Sequence, residues 1–286
     1  MQFSASKAFS QAFQMLGSSF GRLVAVWLTF FAGIIALAVA FSGMFVSMMQ
    51  ASLAAGGTGF AAGQSPFAAF GLSMVLFYLI YFGVIFAQQL ALSRASTGRP
   101  EDTYSVALNA GLRGTPTMMG VLLIYIVAGI VGGIVISLIM AAIVAAAQSA
   151  LVSVLLGLVL ILGFFYLLAR LSLVLPIVAI GEERNPITAV ATAWRLTTGS
   201  SLKIMVIWIL AIVAACVLYF VALMATIGIP GAAGPGAIPG AGAMIALFLV
   251  MTVLGLSIGL YMVTLTTAIY DQLAPTSIHA TAEAFE

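Results

Sequence analysis

Six apolar runs, at roughly 23–49, 67–92, 117–147, 149–180, 201–229 and 244–270, leave this chain little choice of surroundings. Crossing the hydrocarbon core of a bilayer takes about 20 apolar residues of helix, and each run meets that length. Hydrophobic residues make up 64% of the sequence and charged residues 6%. A soluble domain carries about 25% charged residues, so lipid rather than water must solvate most of this surface. The predicted fold is all-α: a polytopic bundle of six transmembrane helices in a single integral membrane domain, 1–286, with a short polar tail at 274–286. Ala38-Val39-Ala40 resembles a signal cleavage site, but the apolar run continues through it to Met49, so the first segment is read as a retained span. Cys216 is the one cysteine; it lies inside an apolar run, permits no intrachain disulfide and reads as a small packing residue.

The charges orient the spans. Lys7 and Arg22 precede the first. Arg94, Arg99, Glu101, Asp102 and Arg113 lie between the second and third. Glu182, Glu183, Arg184, Arg195 and Lys203 lie between the fourth and fifth, and Asp271, His279, Glu283 and Glu286 follow the sixth. The other connections, including QASLAAGGTGFAAGQSP and PGAAGPGAIPGAGA, carry no charge. Eight of nine Lys/Arg therefore fall on one side, which the positive-inside rule makes cytoplasmic. Both termini are expected there, in a bacterial inner membrane.

Each charged connection also reads as a short amphipathic helix lying at the cytoplasmic interface. Phe9, Phe13, Leu16 and Phe20 recur at helical spacing in the first, with Ser4 as cap and Gly17 near the end. Tyr104, Leu108 and Leu112 do so in the second, with Pro100, Glu101 and Asp102 in the first turn and Pro116 at the end. Ile187, Val190 and Trp194 do so in the third, between the Asn185-Pro186 cap and Gly199. Phe9, Phe13, Phe20, Tyr104 and Trp194 are the expected interfacial anchors. A shift of 181 residues lays Phe13 on Trp194, Arg22 on Lys203 and Trp27 on Trp208; a shift of 98 lays Trp27 on Tyr125. The pattern predicts three helix–span–span repeats, at about 1–94, 95–184 and 185–273. Gly129, Gly132 and Gly133, and Gly255 with Gly259, are the expected points of close helix approach.

The string ARLSLVLPIVAIGEERNPITAVATAWRLTTGSSLKIMVIWIL, at 169–210, and the ending TTAIYDQL, at 266–273, resemble the membrane domain of the glycerophosphoryl diester phosphodiesterase family and related bacterial six-span proteins. In those, a span ends in an Arg, a Pro and an acidic turn, and a short helix with a Trp follows. The resemblance implies an integral membrane domain, sometimes joined to a phosphodiesterase catalytic domain. These 286 residues contain no such second domain, so the family's name alone suggests a phospholipid-modifying enzyme.

Metal-assisted phosphodiester hydrolysis needs several carboxylates and histidines around a cation. The one histidine here, His279, lies in the tail, and all seven acids lie in connections or at the end. No catalytic residue, metal ligand or cofactor is nominated, and no basic patch is dense enough for nucleic acid. The spans hold no acid or histidine of the kind ion-coupled carriers use.

That leaves Arg170, a cation inside the fourth apolar run. Were the chain helical from there to Glu182, it would lie about 18 Å from that acid, near mid-bilayer. A bend at Pro176 would bring it to the surface. Two readings stand open. In one, Arg170 snorkels or bonds exposed carbonyls around Pro176. In the other, it faces the bundle centre with Gln88, Gln89, Thr264 and Thr267 and binds an anion such as a lipid phosphate. The expected function is a non-catalytic membrane module binding lipid, anionic lipid included, or a membrane protein partner. The alternative is a small permease or lipid conduit with Arg170 in its path.

Overall fold

In the computed structural model of this protein, residues 3–54, 66–228 and 241–274 are described. The uncharged connections at 50–66 and 230–243 fall mostly outside them, as do His279 and the rest of the tail. Among the described residues the secondary structure is helical throughout. The elements are α1 (Ala5–Ala40), α2 (Ser42–Ala54), α3 (Pro66–Ala95), α4 (Tyr104–Ala147), α5 (Ala150–Leu171), α6 (Val174–Ala179), α7 (Pro186–Leu196), α8 (Ser201–Gly228) and α9 (Ala241–Leu273). Six helical segments are long and apolar enough to cross a membrane.

Two of the expected helix stops are absent. α1 runs unbroken through Gly17, because one buried stripe, Ala8, Ala12, Ser19, Leu23, Val26 and Phe30, continues across it. Packing along that stripe outweighs the roughly 1 kcal/mol helix penalty of a glycine. Pro116 lies inside α4 and does not end it. Its ring costs the helix one hydrogen bond, yet Gly111, Gly114, Thr117, Met118 and Val121 around it are buried against neighbouring helices. The breaks fall elsewhere. The first apolar run divides at Phe41, where Ser42 donates its hydroxyl to the Val39 carbonyl and Gly43 follows, a Ser/Gly pair of the kind that kinks helices. The fourth divides at Ser172–Leu173, between α5 and α6. Pro176 accounts for that position: it has no N–H for the Ser172 carbonyl four residues back, and its ring crowds it.

The caps follow the same logic. Asn185 caps α7 as expected, its Oδ1 accepting from the N–H groups of Ile187 and Thr188, with Pro186 in the first turn. Ser4 occupies the cap position of α1, but its hydroxyl makes no capping bond. α4 begins later than expected: Thr103 is its cap, and Pro100, Glu101 and Asp102 stay outside it.

The spans surround α6 and α7. α3 packs most extensively on α4; α1 packs on α3 and α9, α5 on α8, and α8 on α9. α6 is wedged among α3, α4, α7 and α9, and its residues Val174 and Pro176–Ala179 are buried. The buried side chains all lie in the half of the bundle that carries the charges. Among the described residues none is buried beyond Phe30 in α1, Val121 in α4 or Ala211 in α8. None is buried before Ala87 in α3, Ala169 in α5 or Leu260 in α9. In the far half of the spans the described side chains are partly or fully exposed, Ile130, Ile134, Leu138, Leu151 and Val154 among the most exposed.

The tightest crossings lie in the packed half too. A Cβ at Gly111 would stand 2.4 Å from the Ala87 carbonyl, and one at Gly120 2.9 Å from the Pro186 ring. A Cβ at Gly129, Gly132, Gly133 or Gly259 would meet nothing within 4 Å, so these expected contacts do not form within the described residues. A Cβ at Gly255 would stand 3.0 Å from the Tyr219 hydroxyl of α8, the one of the expected glycines that does approach a neighbour within the described residues. Cys216, expected to pack, is exposed. The Gly111→Ala variant must push α3 and α4 apart and is expected to lose about 1–3 kcal/mol of stability. Gly129→Ala should leave stability unchanged or slightly raised. Thermal unfolding of both in detergent, followed by tryptophan fluorescence, checks the contrast.

Candidate functional site

A helix leaves its last four carbonyls without intrahelical partners, and in an apolar setting water does not supply them. At the charged end of this bundle arginines do. Arg22 of α1 donates from Nε to the Ala95 carbonyl at the end of α3 (3.0 Å), and from Nη1 to the Arg99 and Asp102 carbonyls. Arg94 of α3 donates to the Ala179 and Ile180 carbonyls at the end of α6 (3.4 Å each). Arg170 of α5 donates to the Trp194 carbonyl in the last turn of α7 (3.0 Å). In each case a cation also meets the negative end of a helix dipole.

Arg94 is the most constrained of the three. Its Nε contacts Oδ1 of Asp102 at 2.5 Å, and Asp102 has no exposed side-chain surface. Thr97 donates to the other carboxylate oxygen. Nη1 of Arg94 also reaches Glu182, itself 65% exposed, at 3.4 Å. One buried ion pair thus joins the end of α3, the loop ahead of α4 and the turn after α6. Sequence reading set Asp102 in the first turn of a helix as a dipole partner; the structure turns it inward instead. The helix has Thr103 to cap it, whereas the Arg94 guanidinium has no other buried anion to meet. Nothing in the spacing of Arg94 and Asp102, eight residues apart across a loop, marks them as a pair.

Arg170 lies against the C-terminal turn of α7. Ser172 and Leu173 interrupt the helix just after it, between α5 and α6, with both residues still in right-handed helical conformation. Nε and Nη2 donate to the Tyr166 hydroxyl at 3.0 and 2.7 Å, and Nη1 also donates to Thr198 Oγ1 at 3.0 Å. The guanidinium carbon lies 4.8 Å from the Trp194 ring centroid and 5.2 Å from that of Tyr166. An arginine between two aromatic rings gains cation–π attraction along with its hydrogen bonds.

The polar residues expected to share this level do not share its contacts. Gln88 is buried on α3, and Gln89 lies next to it, half-buried. Thr264 and Thr267 are buried on α9; Thr264 donates to the Tyr261 carbonyl, and Thr267 accepts from Ser96 of α3. None of the four is among the hydrogen-bond partners of Arg170, which lie on α5, α7 and the turn after α7; Thr267 instead ties α9 to α3. Tyr166, missed from the sequence, is the partner that replaces them; its position four residues before Arg170 on one helix face was the available signal. Of the expected anchors, Phe13, Phe20, Tyr104 and Trp194 are exposed, while Phe9 packs partly against the core. Phe13 also rests on Tyr261 of α9, ring centroids 4.9 Å apart. Two polar atoms, the Tyr125 hydroxyl and Trp208 Nε1, are buried without a hydrogen-bond partner.

Asp102→Asn leaves Arg94 facing a neutral amide in a buried position, and removing one member of such a pair costs about 3–5 kcal/mol. Glu182→Gln removes an exposed partner and should cost no more than about 1 kcal/mol. Detergent-stability measurements on the two variants check the ranking.

Comparison of the whole chain with protein-family models, with curated proteins and with solved structures finds no match in any of the three.

Proposed function

We propose that this chain is a non-catalytic, multi-pass module of a bacterial inner membrane that binds membrane lipid. The observation that carries this reading is the uneven packing of the bundle. Its charged half is closed by a polar and apolar core, whereas the far half buries no described side chain. Six apolar helices in that state need hydrocarbon around them, between them as well as outside. The family resemblance at 169–210 and 266–273 agrees with a membrane domain and adds no catalytic residue.

The threefold repeat belongs to the same proposal. Arg94, Arg170 and Gln272 are each the penultimate residue of a helix, and each reaches the first helix of another unit or the loop ahead of it. Arg94 reaches Asp102 just ahead of α4, Arg170 reaches Trp194 in α7, and Gln272 reaches Gln11 in α1. The three contacts link the units into a closed ring. The interfacial placement of Phe13, Phe20, Tyr104 and Trp194 fits their exposure. The conduit reading, which gave Arg170 a path through the bundle centre, gains no support from a guanidinium tied to the α7 C-terminus.

Native mass spectrometry of the protein extracted in mild detergent tests lipid binding: retained phospholipid is expected on the folded protein. Folded protein that emerges free of phospholipid would overturn the reading. The orientation has its own check. A reporter fused after Glu286 should be active in the cytoplasm, and activity in the periplasm would reverse the topology.

A further inference from the structure

We infer that Arg170 holds the phosphate of a phospholipid from the leaflet at the charged end, with an acyl chain lying along the Gly163 face of α5. The inference rests on the lipid-binding reading above and names its site. The first observation is charge. Among the described residues both ion pairs are made by Arg94, so no carboxylate lies at ion-pair distance from Arg170. Its hydrogen-bond partners are two hydroxyls and a carbonyl, all neutral. A guanidinium has five N–H donors, and one on Nη2 has no acceptor in these contacts. A cation that is half-buried among aromatic rings is incompletely hydrated and attracts an anion strongly. The free Nη2 N–H can donate one charge-assisted hydrogen bond to a phosphate oxygen.

The second observation is space. Val159, Gly163, Tyr166 and Arg170 recur at helical spacing and share one face of α5. A side chain at Gly163 would meet nothing within 4 Å, and Val159 one turn further is 63% exposed. An open, apolar strip therefore leads from the guanidinium into the unpacked half of the bundle. Trp194, 42% exposed, borders its polar end, where indole rings favour the lipid headgroup boundary. A soluble anion would use the guanidinium alone; the strip is what selects a lipid.

The test compares wild type with Arg170→Gln and Gly163→Trp. Gln at 170 keeps a polar N–H group, is shorter than Arg and loses the charge. Trp at 163 fills open space and leaves Arg170 untouched. Thermal unfolding first establishes that both variants fold. Native mass spectrometry then titrates each with phosphatidylglycerol and, separately, with inorganic phosphate. Each variant is expected to weaken phosphatidylglycerol binding about tenfold, the effect of losing one charge-assisted contact or the chain's place. Unchanged binding in both variants would overturn this site while leaving lipid binding elsewhere intact. Inorganic phosphate bound as tightly as the lipid, with Gly163→Trp indifferent, would make the ligand a free anion and overturn the inference as well. Absence of lipid from wild type would overturn it together with the reading it rests on.

Discussion

Helix ends set the terms of this structure. A membrane helix satisfies its own backbone except at its two ends, and the carbonyls of its last turn need donors wherever water is scarce. Here α3, α6 and α7 end within the packed half of the bundle, and each receives an arginine from another helix. At the end of α3 every one of the last four carbonyls is occupied: Leu92 by the Ser96 N–H, Ser93 by the Ser96 hydroxyl, Arg94 by Thr97, and Ala95 by Arg22. The arginines could not be replaced by neutral groups without losing reach, and their charge in turn demands Asp102. The buried pair is thus a consequence of closing the helix ends.

That closure divides the molecule. Where the carbonyls are capped, small residues let the helices approach, as at Gly111 against Ala87, and the apolar core forms around α6. Beyond that level few contacts hold the spans together, Gly255 against Tyr219 among them, because lipid solvates leucine as well as another leucine does. The uneven burial follows from this. The lipid-binding role proposed above draws on this division, and Arg170, at the boundary between the two halves, is the proposed headgroup contact.

Local chemistry was legible where neighbours in the chain decide it. The Asn185-Pro186 cap of α7 and the break near Pro176 depend on residues within four positions, and both were readable. Glycine was not so readable. Gly129, Gly132 and Gly133 carry the sequence pattern of a close crossing, yet Gly111, Gly114 and Gly120 make the contacts. Spacing alone places a small residue on a face; it does not say whether another helix arrives there. The stops expected at Gly17 and Pro116 failed for a related reason, since tertiary packing on the Ala8–Phe30 stripe and around Thr117 outweighs a local helix penalty.

The sequence by itself determined the apolar spans, their number and the gathering of charge at alternate connections, because composition and length suffice for a partition between water and oil. It also determined that Arg170 is exceptional. Only the tertiary structure decided what Arg170 touches, that Asp102 turns inward, and that Thr267 bonds Ser96 of α3. Those outcomes depend on which helix ends meet which side chains across 8 to 171 residues of chain, and hydropathy, which sees only neighbours, carries no information about that.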